Sequence, residues 1–176
     1  EKYKTLLAPI QIPIMDGKKM TGNANALTGK AYHFTNTGPE EIAVPEEYRR
    51  DYEEMQLALT ETAAENDDVL LEKYFEQGFL SREDMIHGIR KGIFNINVIP
   101  VMAGSALQNK GVINLMNEIV KYLPEAAERA EQPATDLVKN TVVGVPCDSD
   151  GPFAAQVFKT AVDPFVGKMN YLRVVR

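Results

Sequence analysis

Ser105, Ala106 and Leu107 come just after an apolar run, residues 98–102 (VIPVM), and Gly104 closes that run. A polar turn follows, then an amphipathic segment over residues 112–123. This order is the pattern of a buried strand, a tight loop and a helix, with the loop at the carboxyl end of the strand. Open α/β sheets bind ligands at that edge. Other reactive side chains lack partners. His33 and His87 have no Cys, Asp or Glu at metal-ligand spacing and read as structural or surface residues. Cys147 has no basic neighbour to lower its pKa, which argues against a nucleophile. Asp67-Asp68 reads as a helix start favoured by the dipole, not as a catalytic pair. No Ser-His-Asp or Cys-His arrangement assembles, so the chain is expected to carry neither catalytic nor metal-ligating residues.

Two phosphate- and base-binding look-alikes fail on inspection. The phosphate loop GxxxxGK[ST] is absent: before and after Gly29-Lys30, Ala24 replaces the first Gly and Ala31 replaces Ser or Thr. Asn109-Lys110 opens an Asn-Lys-x-Asp pattern, but Val112 occupies the Asp position.

The elements that must position the loop are legible in outline. Leu6, Ile10, Ile12 and Ile14 predict a strand over residues 6–14, weakened by Pro9 and Pro13, which cannot donate to a ladder. Two short β segments follow near 20–26 and 31–35. Residues 45–91 read as helical. Tyr48, Tyr52, Met55 and Leu59 form one buried stripe. Asn66 or Asp67 caps a second helix, with Leu70, Leu71, Tyr74 and Phe75 inward and Gly78 closing it. Ser81 and Asp84 start a third, which carries Met85, Ile86 and Ile89 and ends at Gly92. Residues 124–138 read as a charged linker. Strands are predicted at 141–146, 153–162 and 167–175, with Asp163-Pro164 turning between the last two.

Composition is ordinary for a globular α/β or α+β chain, with 44% apolar and 25% charged residues. A single cysteine excludes an internal disulfide framework and fits a reducing, cytoplasmic setting. No run approaches the roughly 18 apolar residues of a membrane span, and no signal peptide opens the chain. The net charge of −6 is uneven: residues 45–76 hold eleven acidic and three basic residues, a net of −8. Such a block points to a basic partner more than to nucleic acid.

Taken in order, PEEYRRDYEEM, NDDVLLEKYFEQG, IRKGIFN, VIPVMAGSALQNKGV…YLP and DPFVGK resemble bacterial elongation factor G, a ribosome-dependent translational GTPase. The resemblance covers nearly the whole chain and implies an internal fragment, since the family's phosphate-binding and Asn-Lys-x-Asp motifs lie upstream of Glu1. It implies that residues 1–14 and 98–123 belong to the GTPase domain, and that 15–97 form an inserted α/β subdomain. Residues 124–138 would link these to the first strands of an incomplete β-barrel over 139–176. The fold class is thus α/β, with an α+β insertion.

The resemblance also assigns roles. Ser105-Ala106-Leu107 looks like the last guanine-binding motif: the Ala106 N–H would read guanine O6, Ser105 would brace a neighbouring loop, and Leu107 would pack on the base. GTP or GDP and Mg²⁺ would bind the full-length parent, a GTPase active in tRNA and mRNA translocation, while the fragment alone would be inactive. The partner would be the ribosome, through its large-subunit stalk protein, met by outward Glu46, Glu47, Asp51, Glu53, Glu54 and Glu61; no membrane or direct nucleic-acid contact is expected. Two departures, the polar TGNAN segment at 21–25 and Gln108 in place of a common Lys, point to a divergent paralogue. A ribosomal-protection or peptide-release GTPase, and a non-enzymatic acidic adaptor, remain as alternatives.

Overall fold

The computed structural model describes residues 6–128 and 131–176. It is a mixed α+β structure of four α-helices and several small sheets, with no closed barrel among the described residues. The chain divides into two compact units between Leu123 and Pro124.

The strand expected over residues 6–14 is two strands, β1 (Leu6–Pro9) and β2 (Gln11–Asp16). Ile10 turns one into the other. Its N–H donates to the Val101 carbonyl at 3.0 Å, and its own carbonyl accepts from Ala26 N at 3.0 Å, so one residue serves two sheets. β2 opens an antiparallel sheet with β3 (Lys19–Asn25), β4 (Lys30–Phe34) and β5 (Pro39–Ile42), in that order. Pro13 is tolerated because β2 is an edge strand, where a missing donor breaks no ladder. β5 is the other edge and was not expected from sequence. Its Pro-Glu-Glu-Ile lacks apolar alternation, and Lys30 and Glu41 pair across to β4 at 2.8 Å instead.

Three helices pack next. α1 (Arg49–Glu65) buries Leu59 and sets Tyr52 and Met55 against the main core, while Tyr48 packs on a smaller cluster of Ile14, Ala24 and Ala31. α2 (Asp68–Gln77) is capped by Asp67, whose Oδ1 accepts from Val69 N at 2.9 Å and Leu70 N at 3.3 Å; Gly78 closes it in the left-handed region. Leu70 is buried, and Leu71 and Tyr74 line the core, but Phe75 is 77% exposed, against the sequence expectation. Five residues beyond Leu70 is about 140° around a helix, off the buried stripe. α3 (Arg82–Phe94) begins with the full Ser81/Asp84 capping box and runs past Gly92, where sequence placed its end. A Cβ at Gly92 would lie 2.5 Å from the Val98 side chain, so this glycine marks close packing and not a stop.

β6 (Val98–Val101) pairs in parallel with β1, Leu6 opposite Val98 and Pro9 opposite Val101. Of the strand read as buried, Val98 is buried, while Ile99 and Val101 are 37% and 40% exposed. α1 and α3 contact this two-stranded sheet, and alternate residues point to its other face. α4 (Val112–Tyr122) follows and sends Tyr122 into the main core.

In the second unit, β7 (Gln132–Asp136) pairs antiparallel with β8 (Thr141–Val145). β7 falls within the stretch read as a linker, because Pro133 and the charged flanks hide its strand character; residues 129–130 of that stretch lie outside the described residues. β9 (Ala155–Asp163) and β10 (Gly167–Val174) form a hairpin. Asp163 Oδ1 accepts from Phe165 N at 2.8 Å and Val166 N at 2.9 Å, which fixes the turn that the Asp-Pro pair predicts. No described helix is long and apolar enough to cross a membrane.

Candidate functional site

The loop between β6 and α4 is closed on itself. Ser105 N donates to the Lys110 carbonyl and Lys110 N to the Ser105 carbonyl, both at 2.9 Å, and Asn109 N reaches the Ala106 carbonyl at 3.1 Å. Asn109 takes a left-handed φ of 52°, which asparagine accepts more readily than most residues. Gly111 lies at φ 75° and caps α4; a Cβ there would be both strained and 3.1 Å from the Ala103 carbonyl. Residues 106–109 therefore project as a small, internally bonded tip.

Ala106 and Leu107 occupy that tip, and Leu107 is fully exposed at 100%. Ser105 is half-buried at its base. Among the described residues, no acceptor meets the Ala106 N–H. A shallow pocket of about 210 Å³ lies against the loop, lined by Met102, Ala103, Ser105, Ala106, Gly111 and Leu115. A mostly apolar wall beside an unused backbone donor suits a flat heterocycle carrying an acceptor. The described residues include no cluster of three or more His, Cys, Asp or Glu able to hold a metal ion, and the chain has no phosphate loop.

The sequence did not reveal what anchors this loop. Gln11, Asn23 and Asn114 are 6%, 0% and 8% exposed and form a chain of buried amides. Asn23 Nδ2 donates to Gln11 Oε1 at 3.2 Å, and Asn114 Nδ2 donates to Asn23 Oδ1 at 3.4 Å. Gln11 Oε1 also accepts from Ala103 N at 3.4 Å. Lys110 Nζ donates to the Met20 carbonyl at 3.0 Å. The one available signal was the polarity of TGNAN, which the structure explains: Asn23 and Asn25 point inward to partners.

The second set of candidate residues lies elsewhere on the same unit. Glu46, Glu47, Asp51, Glu53, Glu54 and Glu61 are all exposed on α1 or the 3₁₀ turn before it. Glu47, Asp51, Glu54 and Glu61 share a helical face by their spacing. Glu46 pairs with Arg49 at 2.8 Å and Glu54 with Arg50 at 3.1 Å; Asp51 and Glu61 have no ion pair among the described residues. Asp67 is withdrawn from this surface. It binds Lys91 Nζ at 2.8 Å and lies 3.5 Å from His87 Nε2, and the Lys91 bond holds its carboxyl below the usual range.

No protein-family model matches the chain. The fold is similar to that in the crystal structure of ttk003000868 from Thermus thermophilus, with 30% sequence identity and a TM-score of 0.74 over 97% of this chain. The matched region is 23% of that chain, so the sequence spans less than a quarter of the length of the protein it is similar to.

Proposed function

We propose that this chain is part of a ribosome-dependent translational GTPase of the elongation factor G type and supplies its last guanine-reading loop. The observation that carries the reading is the closed Ser105–Lys110 loop at the carboxyl end of β6, with an unused Ala106 N–H beside a shallow pocket. A backbone donor held in place by the loop's own hydrogen bonds gives direction to base recognition. The motif order along the sequence supports the same reading, and the match to under a quarter of a longer protein fits a chain that is one part of a larger one. Phosphate binding, Mg²⁺ and the hydrolytic step belong to residues outside this chain, and none is assigned to the residues present.

In this reading the acidic face of α1 meets a basic ribosomal partner, the large-subunit stalk protein, and movement of tRNA and mRNA is the parent's task. The test is GTP turnover by the full-length parent with and without ribosomes. Turnover that ribosomes stimulate supports the reading. A parent that neither binds guanine nucleotide nor responds to ribosomes overturns it and leaves a non-enzymatic acidic module.

A further inference from the structure

We infer that Gln11, at the start of β2, is a positioning residue for the base-reading loop, acting through its buried amide on Ala103 and linked through Asn23 to α4. The inference rests on the guanine-loop reading above. Hydrogen bonds within the loop fix its shape but not its placement on the sheet. Placement comes from two external ties: Ala103 N to Gln11 Oε1, ahead of the Ser105–Ala106–Leu107 tip, and Lys110 Nζ to the Met20 carbonyl, behind it. Both ties end on the four-stranded sheet of β2–β5, and neither ends on the β1–β6 pair that delivers the loop.

The chemistry of the anchor explains why it is polar. A buried amide is expensive unless its donors and acceptors are met. Gln11 Oε1 takes two donors, Asn23 Nδ2 and Ala103 N, while Asn23 Oδ1 takes Asn114 Nδ2 from the helix that leaves the loop. β2, β3, the loop and α4 therefore share one hydrogen-bonded chain, which has one satisfied arrangement where apolar side chains would allow several. A loop so held loses less freedom when it takes a ligand, so the anchor acts on affinity without touching the base.

The experiment compares wild type, Gln11→Met and Gln11→Glu in the full-length parent, by GDP titration at a temperature where all three are folded. Gln11→Met keeps the volume and removes the acceptor. Gln11→Glu keeps an acceptor for both donors. GDP affinity is expected to fall roughly 3- to 10-fold in Gln11→Met, the worth of one net hydrogen bond, and to stay within about twofold in Gln11→Glu. A residue that only stabilises the fold would shift thermal stability and leave the affinity of the folded protein unchanged. Unchanged affinity in Gln11→Met overturns the inference alone; a wild-type parent that binds no guanine nucleotide overturns the functional reading and the inference with it. If Gln11→Met does not fold, Ala103→Pro removes the donor of the same bond from the partly exposed side, and the same fall is expected there; its absence overturns the inference.

Discussion

Asn25 Nδ2 donates to Glu118 Oε1 at 2.8 Å, joining residues 93 positions apart, the last of β3 and one in the middle of α4. Asn25 also accepts from Leu27 N at 3.0 Å and Thr28 N at 2.9 Å through its own oxygen. One side chain thus shapes the turn after β3 and docks that turn on the helix.

The Glu118 carboxyl has a cost attached. Burial pushes its pKa up, against the opposing effects of Tyr122, Lys121 and Asn25. A carboxyl whose folded pKa is raised lowers stability where it is ionised, and the penalty grows as pH rises from the ordinary carboxylate range through the raised value. Glu118→Gln keeps an acceptor for Asn25 and removes the charge. Urea unfolding at pH 7 is expected to show the variant more stable than wild type, with the difference vanishing below the ordinary carboxylate range. A variant less stable than wild type at pH 7 would show that the charge is favourable.

Asp67 behaves in the opposite sense. Its carboxylate caps α2 and binds Lys91, and its pKa is lowered, so its contribution is complete above the ordinary carboxylate range and is lost as pH falls through the depressed value. Asp67→Ala is expected to cost about 1–2 kcal/mol at neutral pH, and Asp67→Asn less, because the amide oxygen keeps the cap and forfeits only the partly exposed ion pair. Equal losses in the two variants, measured by urea unfolding, would assign the effect to the ion pair.

The main lines of the fold follow from residue pattern, and the departures have physical causes. The Tyr52–Met55–Leu59 stripe, the Asp67 cap and the Ser81/Asp84 box are local features that sequence displays directly. Ile10 gives no local sign that its N–H and carbonyl serve different sheets, since that depends on β6 nearly ninety residues later. The placement of Ser105, Ala106 and Leu107 on a βα loop was legible from the apolar run and the following amphipathic segment. Their anchor was not. Gln11, Asn23 and Asn114 look like solvent-facing residues until the fold buries them together.

The acidic face of α1 yields a kinetic prediction. Asp51, Glu54 and Glu61 are exposed and share one face, so their charge steers encounter more than it adds affinity. Reversing all three to Lys in the parent is expected to slow ribosome-stimulated GTP turnover several-fold at low salt. The wild-type rate should fall towards the variant's as the screening length shrinks to about 8 Å near 0.15 M salt. Nucleotide binding without ribosomes should be unchanged. Turnover unaffected by the triple reversal at low salt would make the face a solvated surface only.

Calorimetric titration of GDP into the full-length parent and its Ala106→Pro variant tests most directly the proposal that the Ala106 N–H reads a guanine base. Proline removes that one donor, and the reciprocal Ser105–Lys110 bonds that close the loop do not use it. The expected result is binding by the wild type and a loss of roughly 10-fold in the variant, with its unfolding transition unchanged. Equal GDP affinity in the two proteins would contradict the account.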